Sequence, residues 1–191
     1  MGLTPETIER IEGMGIKLTD RRMQIAIPNA REQMWCVMQT LLGQRAVWHP
    51  EYDQIADWLA GNGGRGLLLM GTPGLGKTMM CEKVLPAVIG MNMGRWFRMI
   101  SATELHARFR EAAAYQLLSI DDIGTEPPEV MEYGTRRACL NELLDLAEHR
   151  DKTLLLSTNL SWQQLFSRYG QRIDRLRALV RPILLTGESH R

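Results

Sequence analysis

Two side chains at the end of an eight-residue run set the chemistry open to this sequence. The run Gly71-Thr72-Pro73-Gly74-Leu75-Gly76-Lys77-Thr78 fits G-x-x-x-x-G-K-[ST]. In that pattern the glycines let the backbone curl, so that successive N–H groups point at a phosphate beside the positive end of the next helix. Lys77 is then placed to reach β- and γ-phosphates, and the Thr78 hydroxyl to bind Mg²⁺. The contact stretch expected for ATP runs from Gly71 to Met79. A Gly-rich turn that merely caps a strand would not call for Lys-Thr at those two places. The second chemical group is Asp121-Asp122, which closes the apolar run from Tyr115 to Ile120. Asp121 would hold Mg²⁺ with Thr78, directly or through water, and Asp122 would position and deprotonate an attacking water. The plain alternative for the pair is a turn with a helix cap. The third group is Asn159, at the tip of Thr153-Leu154-Leu155-Leu156-Ser157-Thr158. It is expected either to orient the lytic water or simply to end a strand.

The elements that must carry these groups are legible as apolar runs separated by helical periods. Gly66 to Met70 reads as a buried strand that delivers the phosphate loop, and a helix follows to about Ile89. Trp96 to Ile100, Tyr115 to Asp122, Thr153 to Asn159 and Pro182 to Thr186 read as further strands. Continuous rather than alternating apolar runs indicate a parallel sheet covered on both faces. Ligands in such sheets sit at the carboxyl ends of the strands, where all three groups fall. Between the strands, Ser101 with Glu104 predicts a capped helix to about Ala114, Gly124 to Gly134 a loop, and Thr135 to Arg150 a helix. Ser161 caps another helix to about Tyr169. Upstream, Thr4 and Pro5 open a short helix that Gly13 and Gly15 end, and Lys17 to Ile27 is mixed. Asn29 with Glu32 predicts a capping box for a second helix with Met34, Met38, Leu41 and Leu42 as its stripe. A third helix, Pro50 to Ala60, has Tyr52, Ile55, Trp58 and Leu59 inward. The aromatics around it read as core, with Val47 to Pro50 as a minority contribution to an adenine pocket.

Composition narrows the class further. The chain has 191 residues, a hydrophobic fraction of 45 % and a charged fraction of 24 %, which suits one soluble domain with a small appendage. Its net charge of +1 excludes a global field that would draw it onto nucleic acid, so DNA binding requires a local patch. Of 23 cationic residues only Lys17, Lys77, Lys83 and Lys152 are lysine. The arginine excess fits phosphate recognition and equally fits codon bias. Cys36, Cys81 and Cys139 lack any C-x-x-C pairing, against a disulfide scaffold or zinc knuckle. No apolar run approaches a membrane span and no signal pattern opens the chain, so a cytoplasmic protein without membrane contact is expected.

Taken together, Leu118-Ser119-Ile120-Asp121-Asp122-Ile123-Gly124-Thr125-Glu126, Leu156-Ser157-Thr158-Asn159-Leu160, Arg168-Tyr169-Gly170-Gln171-Arg172-Ile173-Asp174-Arg175-Leu176 and Gly187-Glu188-Ser189-His190-Arg191 resemble the DnaC/IstB-like AAA+ group. That group holds the bacterial replicative-helicase loaders DnaC and DnaI and the IstB transposition ATPases. The resemblance covers about Trp48 to Arg191. It implies a P-loop NTPase of the ASCE type, a three-layer αβα fold with a parallel five-stranded sheet of order 5-1-4-3-2, and no C-terminal lid. Residues 48–191 would form the ATPase domain, and 1–47 a short helical segment available to a partner. The implied activity is ATP-dependent loading of a hexameric DnaB-type helicase during initiation of DNA replication, with single-stranded DNA bound and subunits assembled by ATP. The alternative is an IstB-like ATPase assisting transposition, and a reading of another class is a plain metabolic kinase. Asn159 becomes a sensor, and an arginine among residues 170–176 reaches a neighbouring subunit's γ-phosphate. The stretch Arg172-Ile173-Asp174-Arg175 is one residue shorter than the loader pattern, which leaves Arg172 and Arg175 both open. Asp122 stands where AAA+ enzymes usually carry Glu, and the shorter arm predicts slow hydrolysis. For single-stranded DNA the candidates are Arg95, Arg98, Arg108 and Arg110, beside Trp96, Phe97 and Phe109, since phosphate contacts with base stacking are the usual means of holding single strands. The bland alternative there is solvated arginines beside core aromatics.

Overall fold

The computed structural model describes residues 4–14, 22–132 and 134–187. The helix stop expected at Gly15, residues 17–21 of the mixed stretch, and Glu188 to Arg191 of the closing motif lie outside them. The strands are β1 (Gly66–Met70), β2 (Arg98–Ser101), β3 (Leu117–Asp121), β4 (Val130–Glu132), β5 (Thr135–Arg137), β6 (Thr153–Thr158) and β7 (Val180–Leu184). The helices are α1 (Pro5–Gly13), α2 (Ala30–Leu42), α3 (Tyr52–Ala60), α4 (Lys77–Met79), α5 (Leu85–Met93), α6 (Phe109–Ala114), α7 (Cys139–His149), α8 (Trp162–Tyr169) and α9 (Ile173–Leu179). A π-helical turn, Met80–Val84, joins α4 to α5 into one helical run.

Five strands form one parallel sheet in the order β2-β3-β6-β1-β7. Counted along the chain within that sheet, the order is the expected 5-1-4-3-2. Strand side chains alternate between faces with a period of two, so the apolar runs feed two cores at once. Leu67, Leu69, Leu155 and Ile183 meet α2, α3 and α5 on one face. Leu68, Met70, Leu118, Ile120, Leu154 and Leu156 meet α6 through α9 on the other. This is the three-layer αβα arrangement, and it explains why the strands read as unbroken apolar runs. Met34 and Met38 of α2 are buried in the same core as Trp58 and Leu67. Residues 22–47 are therefore packed into the layer that supports the phosphate loop.

Several local expectations are corrected. Asn29 does not form a capping box: it sits at φ 51° and its side chain makes no cap bond. Nor does Ser101 cap a helix. A 3-10 turn, Ala102–Glu104, follows it, and α6 starts only at Phe109. The loop and helix expected between Gly124 and Arg150 are replaced in part by the antiparallel hairpin β4–β5, and α7 begins at Cys139. The Arg137 guanidinium ties these pieces together, pairing with Glu132 across the hairpin and with Glu142 on α7, contacts between residues that no helical period brings together. Two more boundaries move, the phosphate-loop helix continuing to Met93 and the last strand running Val180–Leu184.

Candidate functional site

β1, β6 and β3 are neighbours in the middle of the sheet, with β6 between the other two. Their carboxyl ends bring the phosphate loop, Asn159 and the two aspartates to one rim. A cavity of about 360 Å³ opens there, lined by Pro73, Gly74, Gly76, Lys77, Thr78, Asp121, Asp122, Ser157 and Asn159. Three separate stretches of sequence thus meet around one space, and they carry Lys77, Thr78, Asp121, Asp122 and Asn159.

The loop is curled by left-handed backbone. Gly76 has φ 79°, and a Cβ there would lie 2.8 Å from the Tyr52 hydroxyl, so glycine is required on two counts. Lys77 is buried, and its ammonium donates to the carbonyls of Gly71 and Thr72 at 2.8 Å each. The Thr78 hydroxyl donates to Asp121 Oδ2 at 3.1 Å. Two hard oxygen donors facing one cavity fit Mg²⁺, which favours oxygen ligands and keeps several waters. Asp122 takes φ 60°, unusual for a residue with a Cβ, and this turns its carboxylate toward β6. Asn159 Nδ2 donates to Asp122 Oδ1 at 2.6 Å. The carboxylate and the amide expected to handle water are therefore in direct contact.

Ser157 is the residue the sequence did not single out. Its hydroxyl donates to Asp121 Oδ1 and accepts the Asp122 N–H at 2.8 Å, so one buried side chain fixes both aspartates. The available signal was its place two residues before Asn159 on a strand whose other members are apolar or Thr. Glu82, one helical turn beyond Thr78, has a carboxyl pushed above the usual range by burial and then by nearby Asp121.

A second cavity of about 270 Å³ adjoins the loop, lined by Met38, Leu42, Arg45, Val47, His49, Tyr52, Gly74, Leu75, Gly76 and Met79. It shares Gly74 and Gly76 with the first and is walled mostly by apolar side chains. The Tyr52 hydroxyl donates to the Leu75 carbonyl at 3.4 Å, and burial pushes its pKa up to about 12, so it stays a donor at neutral pH. Of the stretch Val47 to Pro50, Val47 and His49 lie on this wall.

The two candidate trans arginines are separated by their surroundings. Arg175 pairs with Asp145 and, at 3.4 Å, with Glu148, both on α7 of its own chain. Arg172 ends the 3-10 turn Gly170–Arg172, is exposed, and has no ion pair among the described residues. The four DNA candidates divide as well. Arg98 and Arg108 meet on Glu111, and Arg108 also holds Glu104 at 2.8 Å. Arg110 is exposed beside Arg108 on a cavity of about 500 Å³, and Arg95 is exposed but is not among the residues that line it. Phe97 is buried and Phe109 is covered by the Arg137 guanidinium at 4.5 Å, whereas Trp96 is 65 % exposed.

The family model described as ATPase family associated with various cellular activities (AAA) matches residues 67–180. The chain belongs to the AAA family. No curated relative matches it by sequence. Among solved structures, this AAA chain is similar to the DnaC helicase loader, with TM-score 0.57 and 16 % identity over 81 % of this chain and 99 % of that one. It is also similar to a putative primosome component from Streptococcus pyogenes, with TM-score 0.51 and 19 % identity over 93 % and 89 % of the two chains. DnaI is a third such structure, with TM-score 0.51 and 16 % identity over 96 % and 95 %. At these identities the likeness is one of fold. Among the described residues no helix is long and apolar enough to cross a membrane.

Proposed function

We propose that this AAA chain binds and slowly hydrolyses ATP with Mg²⁺ and loads a hexameric replicative helicase onto single-stranded DNA. The observation that carries the ATP reading is the convergence of Lys77, Thr78, Asp121, Asp122 and Asn159 on one cavity beside an apolar pocket of base size. Thr78 and Asp121 would hold Mg²⁺, which neutralises phosphate charge when bound. Lys77 would exchange its two carbonyl acceptors for phosphate oxygens. Asp122, steered by Asn159, would accept a proton from water, its shorter arm making this step slow. The helicase reading is supported by the fold shared with DnaC, DnaI and the primosome component. Subunits would assemble with ATP, and the free Arg172 rather than the paired Arg175 would reach the neighbour's phosphate. Arg95 and Arg110 would contact the DNA backbone, in a protein that works in the cytoplasm.

Two measurements test this. Lys77→Ala is expected to lose binding of a fluorescent ATP analogue, since it removes the only side-chain cation of the loop. Unchanged affinity would overturn the assignment of the phosphate site. Co-purification of the wild-type protein with its host's replicative helicase, dependent on ATP, is the expected partner result. Capture of a transposase instead would favour the transposition reading.

A further inference from the structure

Glu126 is a buried carboxylate, 3 % exposed, that lines neither cavity at the phosphate loop. It lies four residues beyond Asp122. Its Oε2 accepts the Gly124 N–H at 2.8 Å, and its Oε1 accepts the Tyr169 hydroxyl. Its main-chain carbonyl accepts from the Arg168 guanidinium. Both ends of one residue are thus bonded to the last turn of α8. A main-chain N–H and a phenol bond the two carboxylate oxygens, with the Arg168 guanidinium on the same residue's carbonyl, and a buried polar group is costly unless it is bonded in this way. What those bonds join gives the reason for it.

On one side they hold the turn that presents Asp122. Asp122 is left-handed at φ 60°, and its carbonyl accepts from the Thr125 hydroxyl at 2.8 Å. Gly124 follows at φ 103°, where a Cβ would lie 2.4 Å from Leu160 Cδ1. Glycine takes such a φ freely, but left-handed backbone at a residue with a Cβ, as at Asp122, is held in place by its surroundings. The Glu126 bond to Gly124 N–H is one such hold, the Ser157 bond to Asp122 N–H another. On the other side Tyr169 is the residue directly before the Gly170–Arg172 turn. Its phenol is pushed well above the usual range, first by burial and then by the bond to Glu126, so it remains the donor.

We infer that Glu126 is a positioning residue that locks the Asp122 turn to the end of α8, so that one strut sets both the water-handling carboxylate and the projection of Arg172. This rests on the ATPase reading. Glu126 acts through Gly124 and Tyr169, and its loss should slow turnover without loosening nucleotide.

The test uses the full chain and compares wild type, Glu126→Gln, Tyr169→Phe and the double variant. ATP turnover and affinity for a fluorescent ATP analogue are measured on protein shown folded by its melting curve. Glu126→Gln can keep the Gly124 N–H on its amide oxygen and loses the carboxylate oxygen that accepts the Tyr169 hydroxyl. Its kcat is expected to fall on the order of tenfold, the loss of one hydrogen bond to a charged group, with analogue Kd within about twofold of wild type. Tyr169→Phe should lower kcat in the same direction and leave Kd alone. The double variant should be no slower than Glu126→Gln, because both changes break the same bond. Turnover of folded Glu126→Gln equal to wild type would overturn the strut, as would a loss that appears in Kd alone or losses that multiply in the double variant. If wild type binds and turns over ATP while these variants match it, only the strut fails. If wild type does neither, the nucleotide reading fails and the strut with it.

Discussion

Removal of the Ser157 hydroxyl is the sharpest perturbation of the candidate site that leaves the phosphate loop intact. Ser157 is 1 % exposed, and its oxygen is shared between Asp121 Oδ1 and the Asp122 N–H. In Ser157→Ala the Asp122 amide keeps no acceptor, and Asp121 retains Thr78, at 3.1 Å, as its side-chain donor. A buried group left unpaired costs about 1–3 kcal/mol. If that energy holds the aspartates in place for chemistry, kcat should fall by about 5- to 150-fold, at 1.36 kcal/mol per factor of ten. The register Leu69↔Ser157 sets Ser157 level with the end of β1, so the change lies between the aspartates and the loop without altering either sequence. The assay is ATP turnover titrated with Mg²⁺, alongside analogue affinity measured in EDTA. Expected are a lower kcat, a higher Mg²⁺ requirement, and an EDTA affinity within about twofold of wild type, because Lys77 is untouched. Wild-type kcat with a wild-type Mg²⁺ requirement would refute the claim that Ser157 organises the two aspartates.

The remaining predictions concern the edges of the site. A mixture of Arg172→Ala with Lys77→Ala is expected to recover ATPase activity that neither variant has alone, since one interface then pairs an intact loop with an intact arginine; no recovery despite co-assembly would refute action in trans. A trans arginine can contribute about 10³–10⁵ in rate, whereas Arg175→Ala, which breaks pairs with Asp145 and Glu148, should act mainly on stability. For DNA, Arg95→Ala and Arg110→Ala should each reduce the salt slope of single-strand binding by about 0.7; Arg108→Ala should change it less, because Glu104 and Glu111 already hold that side chain. For Glu51, next to Tyr52 in the chain, the Thr186 hydroxyl bond lowers the carboxyl pKa, so that bond adds stability above the unfolded carboxyl pKa and loses it as pH falls. The melting temperature of Glu51→Gln should therefore lie below wild type at pH 7, and the gap should close as pH falls through the lowered Glu51 pKa.

The sequence alone determined the phosphate loop, because G-x-x-x-x-G-K-[ST] is local: eight consecutive residues contain its whole geometry. It also determined the sheet. Unbroken apolar runs such as Leu67-Leu68-Leu69 have to be covered on both faces, and Leu67 and Leu68 do go to opposite cores. Asp121, Asp122 and Asn159 were legible for the same reason, as polar residues at the tips of such runs. What the sequence could not supply were contacts between distant segments. In the β4–β5 hairpin Arg137 pairs with both Glu132 and Glu142, whereas the periodicity of Thr135 to Arg150 points to a helix. Ser157 reads as one more small residue in a strand until β6 is seated between β1 and β3. Arg172 and Arg175 are equivalent in one dimension; only the packing of α9 against α7 gives Arg175 two acids and leaves Arg172 in solvent. Glu126 likewise looks like a charged loop residue. Folding buries it under Tyr169, 43 positions later, because a carboxylate joins whatever donors the tertiary structure brings to it.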